Sequence, residues 1–153
     1  MSMLLSKKDM DVRVEYGSFG IQEFYHDEVP IPYPDASKSG VFLQSFPGRL
    51  DLGSAGHSHT VSVSVEIWDS RPVIDVHQNW DEVEESVIET PTGELAVWDT
   101  GPQQGNGISL GRPGHWAVRA AAAGRAEAER QTRLTGPVHG VERWLLQFWP
   151  ADA

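Results

Sequence analysis

Trp80-Asp81-Glu82-Val83-Glu84-Glu85, followed closely by Glu89, sets five carboxylates beside one aromatic ring. Such a surface can cover a cationic cleft. Complementary fields raise on-rates, desolvated ion pairs fix register, and a rigid aromatic among them has the make-up of a hot spot. The alternative is a core Trp beside a solvated strand face. His57-Ser58-His59 with Glu66 holds a second chemistry, since two imidazoles and a carboxylate can ligate a divalent metal. Asp75, His77 and Asp81 hold a third, a His–carboxylate pair for acid–base work or a metal. No Ser or Thr stands in a Gly-x-Ser-x-Gly nucleophile turn, and Gly105-Asn106-Gly107 lacks the strand–helix context of a nucleotide loop. No catalytic residue is assigned, and no cofactor is expected.

The charge balance narrows the partners. The net charge is −10, which repels nucleic acid and anionic membranes, both bound mainly through Lys and Arg. From Pro72 to Gly111 there is no Lys or Arg but eight acids, whereas from Arg112 to Arg143 six Arg face three Glu. One part of the surface is expected to be strongly negative and another mildly positive. The absence of Cys excludes disulfides, thiol catalysis and a thiolate zinc site, and fits a cytoplasmic protein. The leader Met1 to Met10 is too short in apolar residues for a signal peptide or a membrane span. It is expected as a loose leader or the lead-in to an edge strand, ahead of a single domain over 11–151.

Strands must position these groups. Val61, Val63, Val65 and Ile67 alternate with Ser62, Ser64, Glu66 and Trp68, the pattern of a half-buried antiparallel strand. On such a strand His59 and Glu66, an odd number of positions apart, point to opposite faces. Val12 to Tyr16, Phe19 to Tyr25, Val41 to Gln44, Arg49 to Leu52 and Val83 to Glu89 are further strands. Pro91-Thr92-Gly93 reads as a hairpin turn into Glu94 to Trp98. Gly101 to Gly107 reads as a loop, and His115 to Ala121 and Val141 to Trp149 as closing strands. Gly124 to Arg133 is the one helix candidate, or else a polar hairpin loop. Six Trp in one small β-domain could line a carbohydrate groove, but most sit inside apolar strands and suit a core. The expected fold is all-β, an antiparallel β-sandwich of about eight or nine strands.

Several of these segments resemble a widespread bacterial family of hypothetical proteins. Val14-Glu15-Tyr16-Gly17-Ser18-Phe19 is similar to its opening YGQ strand, and Thr60 to Glu66 to its long central strand. Trp80 to Ser86 is similar to its WEEVVE element, and Leu110 to Arg119 to its LPxGxYRVR strand. Arg143-Trp144-Leu145-Leu146-Gln147-Phe148-Trp149-Pro150 is similar to its YLLQFWP ending. More distantly, the Tyr16-x-x-Phe19 opening, the Pro113-Gly114 turn before an aromatic strand and the closing strand resemble the competence protein J family. That resemblance implies a small acidic β-sandwich that holds a cognate DNA nuclease inactive, with no inhibitory residue carried over. His57, His59, Glu66 and the later Pro113-Gly114-His115 resemble the ligand set of a cupin barrel, with different spacing.

The function expected is therefore a non-enzymatic immunity or inhibitor protein. Trp80, Asp81, Glu82, Glu84, Glu85 and Glu89 would cover a basic partner, a nuclease among the candidates. Reversal of Glu84 and Glu85 is expected to weaken that contact. The alternatives are a metal- or carbohydrate-binding cupin-like barrel using His57, His59 and Glu66, and an assembly protein that adds an edge strand to a partner.

Overall fold

Period-two alternation in the sequence becomes two stacked sheets in a computed structural model, which describes residues 2–24, 40–75, 78–98 and 102–152. The first sheet runs β1 (Leu4–Val14), β5 (His59–Trp68), β10 (His139–Pro150), β9 (Gly114–Ala123) and β6 (Glu82–Thr90). The second runs β3 (Leu43–Phe46), β4 (Arg49–Gly53), β2 (Ser18–Glu23), β7 (Glu94–Trp98) and β8 (Pro102–Ser109). Helix α1 (Arg125–Thr135) carries the chain from β9 to β10. All pairings are antiparallel except β5 with β10. Among the described residues the two sheets stay separate, each with two edge strands, so the fold is a β-sandwich as expected. The cupin-like barrel is corrected on the same ground: neither sheet closes.

The core lies between the sheets. Val61, Val63, Val65 and Ile67 of β5, Trp116 and Val118 of β9, and Trp144, Leu146 and Phe148 of β10 point inward from the first sheet. Phe19, Ile21, Leu50, Leu52, Leu95 and Val97 meet them from the second. Each fully buried aliphatic or aromatic side chain contributes about 1.5–3 kcal/mol. Trp144 is the keystone, edge-on to Phe19 at 5.2 Å and stacked on Phe42 at 4.8 Å.

Two expectations change in the structure, and of the two readings of the leader the edge-strand lead-in is the one found. Pro91-Thr92-Gly93 is no hairpin turn, because β6 and β7 belong to different sheets. Buried Glu23 of β2 accepts hydrogen bonds from Thr90 Oγ1, Thr92 Oγ1 and the Thr92 N–H, which pins this corner across the sandwich. The loop expected at 101–107 is largely β8, which pairs with β7 from Glu94↔Ser109 to Trp98↔Pro102. An edge strand needs only backbone pairing, so a Gly- and Gln-rich segment can form one without alternating apolar residues. Leu4 to Met10 ladder on β5 as the first part of β1. The helix reading of 124–133 holds: α1 follows Gly124, whose φ of 76° only glycine adopts freely. Among the described residues no helix is long and apolar enough to cross a membrane.

Candidate functional site

β6 is the outermost strand of the first sheet, beyond β9. Its Val87 and Glu89 carbonyls turn away from β9 and accept Ser45 Oγ and the Gly48 N–H of the β3–β4 turn. Backbone polar groups of alternate residues face the same side of an antiparallel strand, so Val83 and Glu85 also aim theirs outward, onto an open edge. The side chains divide by the same alternation. Val83, Glu85, Val87 and Glu89 lie on the outer face of the sheet, and Glu82 and Glu84 on the other. Ile88 on that second face is buried, whereas Glu82 and Glu84 are exposed. The start of β6 therefore projects past the second sheet. Among the described residues the carboxylates of Glu82, Glu84 and Glu89 have no hydrogen-bond or ion-pair partner. Asp81 accepts the Arg125 N–H at 3.1 Å.

Glu85 is different. Arg71 grips it with two nitrogens at 2.5 and 2.7 Å, and Arg119 Nε adds a third contact at 3.2 Å. The hydrogen bonds from Arg71 hold the Glu85 carboxyl below its ordinary pKa, assisted by Arg119 and opposed by partial burial. Arg119 is itself buried and donates to the Pro72 carbonyl and to Gln147 Oε1. Gln147 and Trp68 both donate to Glu66. Both guanidiniums lie over the Trp149 ring, at 5.5 and 5.3 Å. Glu85 thus anchors the connection from β5 to β6 onto the sheet.

Trp80 is half-buried, with the Arg143 guanidinium 5.9 Å from its ring centre. Its Nε1–H is buried with no acceptor. The metal alternative loses its ligand set. His57 is exposed and edge-on to Tyr16 at 5.4 Å, His59 is buried on the inner face, and Glu66 lies on the outer face of the same strand. Among the described residues no group of three His, Asp or Glu side chains is placed to hold a metal. Asp75 is exposed, and His77 lies outside the described residues.

One buried cluster was not foreseen from the sequence. Glu142 of β10, fully buried, accepts from Ser54 Oγ and Trp144 Nε1 at 2.7 Å, the Ala55 N–H at 2.9 Å and Arg125 at 3.3 Å. Ser54 Oγ also meets His59 Nε2 at 2.7 Å. Ser, His and Glu are the ingredients of an acyl-transfer triad, but the wiring differs. Ser54 Oγ–H donates its hydrogen bond to Glu142, so His59 Nε2 is left to donate to the hydroxyl oxygen. The His59 Nδ1 that an orienting acid would engage is buried without a partner. Burial holds the imidazole pKa below its usual value; Glu142 opposes this and Arg13 assists it. The cluster is a polar clasp joining the β4–β5 connection, β10 and α1. Its signal in the sequence was the parity of Glu142 with inward-facing Trp144, Leu146 and Phe148.

No protein-family model matches the chain, and no curated protein does. Two solved structures are similar over nearly its whole length. One is ComJ from Bacillus subtilis, an inhibitor of the DNA degrading activity of NucA, with a TM-score of 0.69 and 10% sequence identity over 97% of this chain and 99% of that chain. The other is the crocagin biosynthetic gene J protein, with a TM-score of 0.61 and 13% identity over 96% and 99%. At these identities the likeness is one of fold. It supports the distant resemblance to the competence protein J family at that level, and the motif-based bacterial family has no matching model behind it.

Proposed function

We propose that this chain is a non-enzymatic, inhibitor-type binding protein that covers a basic partner, a nuclease first among them, with the acidic start of β6. The observation that carries this is the near full-length likeness to ComJ, an inhibitor of the DNA degrading activity of NucA. The charge of β6 adds to it. A nuclease presents Lys and Arg to DNA phosphates; among the described residues Glu82 and Glu84 are unpaired carboxylates on the projecting start of the strand, and Glu89 is unpaired farther along it. Asp81 and Trp80 flank them, while Glu85 supports the surface from beneath through its two arginines. Complementary fields speed the encounter, and the open backbone edge at Val83 and Glu85 gives the partner a rigid rail. Nucleic acid and membranes are not partners on this reading, and the place of action is the cytoplasm.

The test is a low-salt pull-down from a lysate of the native cell, with the unaltered protein and a Glu82→Lys/Glu84→Lys variant as parallel baits. The expected result is a basic nuclease held by the first bait, inhibited by it, and released by the second. Equal affinity and equal salt dependence for the two baits would discard this surface.

A further inference from the structure

A groove of about 260 Å³ lies on the outer face of the first sheet, against the connection from β5 to β6. Ser62 and Glu66 of β5 and Leu145 of β10 form its floor. Trp80 walls it, and Lys7 of β1 and Arg143 of β10 stand at its rim.

Its polar groups share one property. Among the described residues, every other Lys or Arg has an acceptor. Lys8 donates to the Gly107 carbonyl, and Arg13, Arg49, Arg71, Arg112, Arg119, Arg125, Arg130 and Arg133 all pair with carboxylates. Lys7 and Arg143 alone have neither, in a chain with 22 acids for 12 bases. Carboxylates are in excess, yet these two cations are left unpaired at one place. Among the described residues the Ser62 hydroxyl also has no hydrogen-bond partner. The Trp80 Nε1–H is a buried donor without an acceptor. Three donors lacking acceptors, on Lys7, Arg143 and Ser62, border one concavity beside the Trp80 ring.

We infer that this groove binds a small organic anion, with a carboxylate or phosphate held by Arg143, Lys7 and Ser62 and a flat apolar body resting on Trp80 and Leu145. Arg143 over the indole already presents a cation and a ring to such a molecule. Glu66 limits the charge: its carboxylate, engaged by Gln147 and Trp68, lines the same groove, so the groove suits one anionic group and rejects a polyphosphate. The volume sits just under the range of about 300–1,000 Å³ usual for drug-sized ligands, which fits a metabolite and is too small for a peptide. This site does not depend on the inhibitor reading.

The experiment follows the Trp80 indole N–H resonance of the ¹⁵N-labelled protein during titration with benzoate and, separately, inorganic phosphate. A Trp80→Phe spectrum assigns the signal. Benzoate is expected to move it saturably, and Arg143→Gln to weaken the effect about tenfold or more, the loss of one charge-assisted contact. Phosphate competing for the same signal would assign recognition to the oxyanion. Benzoate acting alone would assign it to the oxyanion and apolar body together. No movement with either probe overturns the proposal. So does an unchanged midpoint in both Arg143→Gln and Ser62→Ala when their spectra otherwise superpose on that of the unaltered protein.

Discussion

Glu84→Lys and Glu85→Lys are neighbouring reversals on one edge strand, and each takes the net charge from −10 to −8. If charge alone mattered they would act alike. The structure separates them. Among the described residues Glu84 has no partner, so its reversal is expected to change stability by no more than about 0.5 kcal/mol. Glu85 faces Arg71, which is exposed, and Arg119, whose side chain is only 4% exposed. Removing one member of a fully buried pair costs about 3–5 kcal/mol, and an exposed pair is worth about 0–1. Glu85 is 36% exposed, so solvent screening puts the expected loss between these limits, at about 2–3 kcal/mol. At about 2–4 °C per kcal/mol for a chain of this length, Glu85→Lys should melt roughly 4–12 °C lower.

Thermal unfolding followed by circular dichroism at pH 7 reads both variants directly. Melting points within about 2 °C of each other would refute the assignment of Glu85 as an anchor. The pH dependence gives an independent check. Hydrogen bonds from Arg71 lower the Glu85 pKa in the folded state from 4.5, so the unfolded chain binds more protons in the interval between the two values. The Glu85 contribution is then complete above pH 4.5 and is lost as the pH falls through the lower folded value. The stability gap between the unaltered protein and Glu85→Gln should narrow over that interval and stay constant above it. It follows that the pull-down variant should reverse Glu82 and Glu84, because a Glu84/Glu85 reversal would confound lost recognition with lost folding.

Glu142→Gln should cost about 3–5 kcal/mol, read as a lower urea midpoint, because one amide oxygen cannot serve every donor now aimed at the carboxylate and Arg125 loses its counter-charge. His59, held neutral by burial, contributes stability that is complete above the ordinary imidazole pKa of 6.5 and is lost as the pH falls through its lowered folded value. Urea midpoints measured at descending pH should therefore fall for the unaltered protein and stay flatter for His59→Gln. Gly124→Ala should cost more than Gly111→Ala. Both place a side chain at positive φ, worth about 1–2 kcal/mol, but only at Gly124 would a Cβ run into the Val141 carbonyl. Equal losses in a thermal melt would remove that clash from the account.

The sandwich was legible where a strand has two unlike environments. β5 buries every second residue from His59 to Ile67, and its letters alternate for that reason. It was not legible where a distant residue makes the decision. Pro91-Thr92-Gly93 carries the same letters whether it folds into a hairpin or crosses between sheets, and the choice rests with Glu23, far back in the chain. β8 was hidden because an edge strand made by backbone pairing asks little of its side chains.

The same division runs through the candidate sites. Asp81 to Glu89 looked like one acidic block, yet Arg71 from before it and Arg119 from after it remove Glu85 from the available charge. What the structure adds to composition is therefore the pairing of each charge. In a chain with nearly twice as many acids as bases, an unpaired carboxylate is ordinary and supports a site only with a second reason, such as the projecting start of β6. An unpaired cation is the rarer event, because a partner was available in excess. Among the described residues Arg143 and Lys7 stand unpaired on the face where one carboxylate, Glu85, engages both Arg71 and Arg119. Solubility asks for no such gap in a protein already at −10, whereas binding an anion requires one.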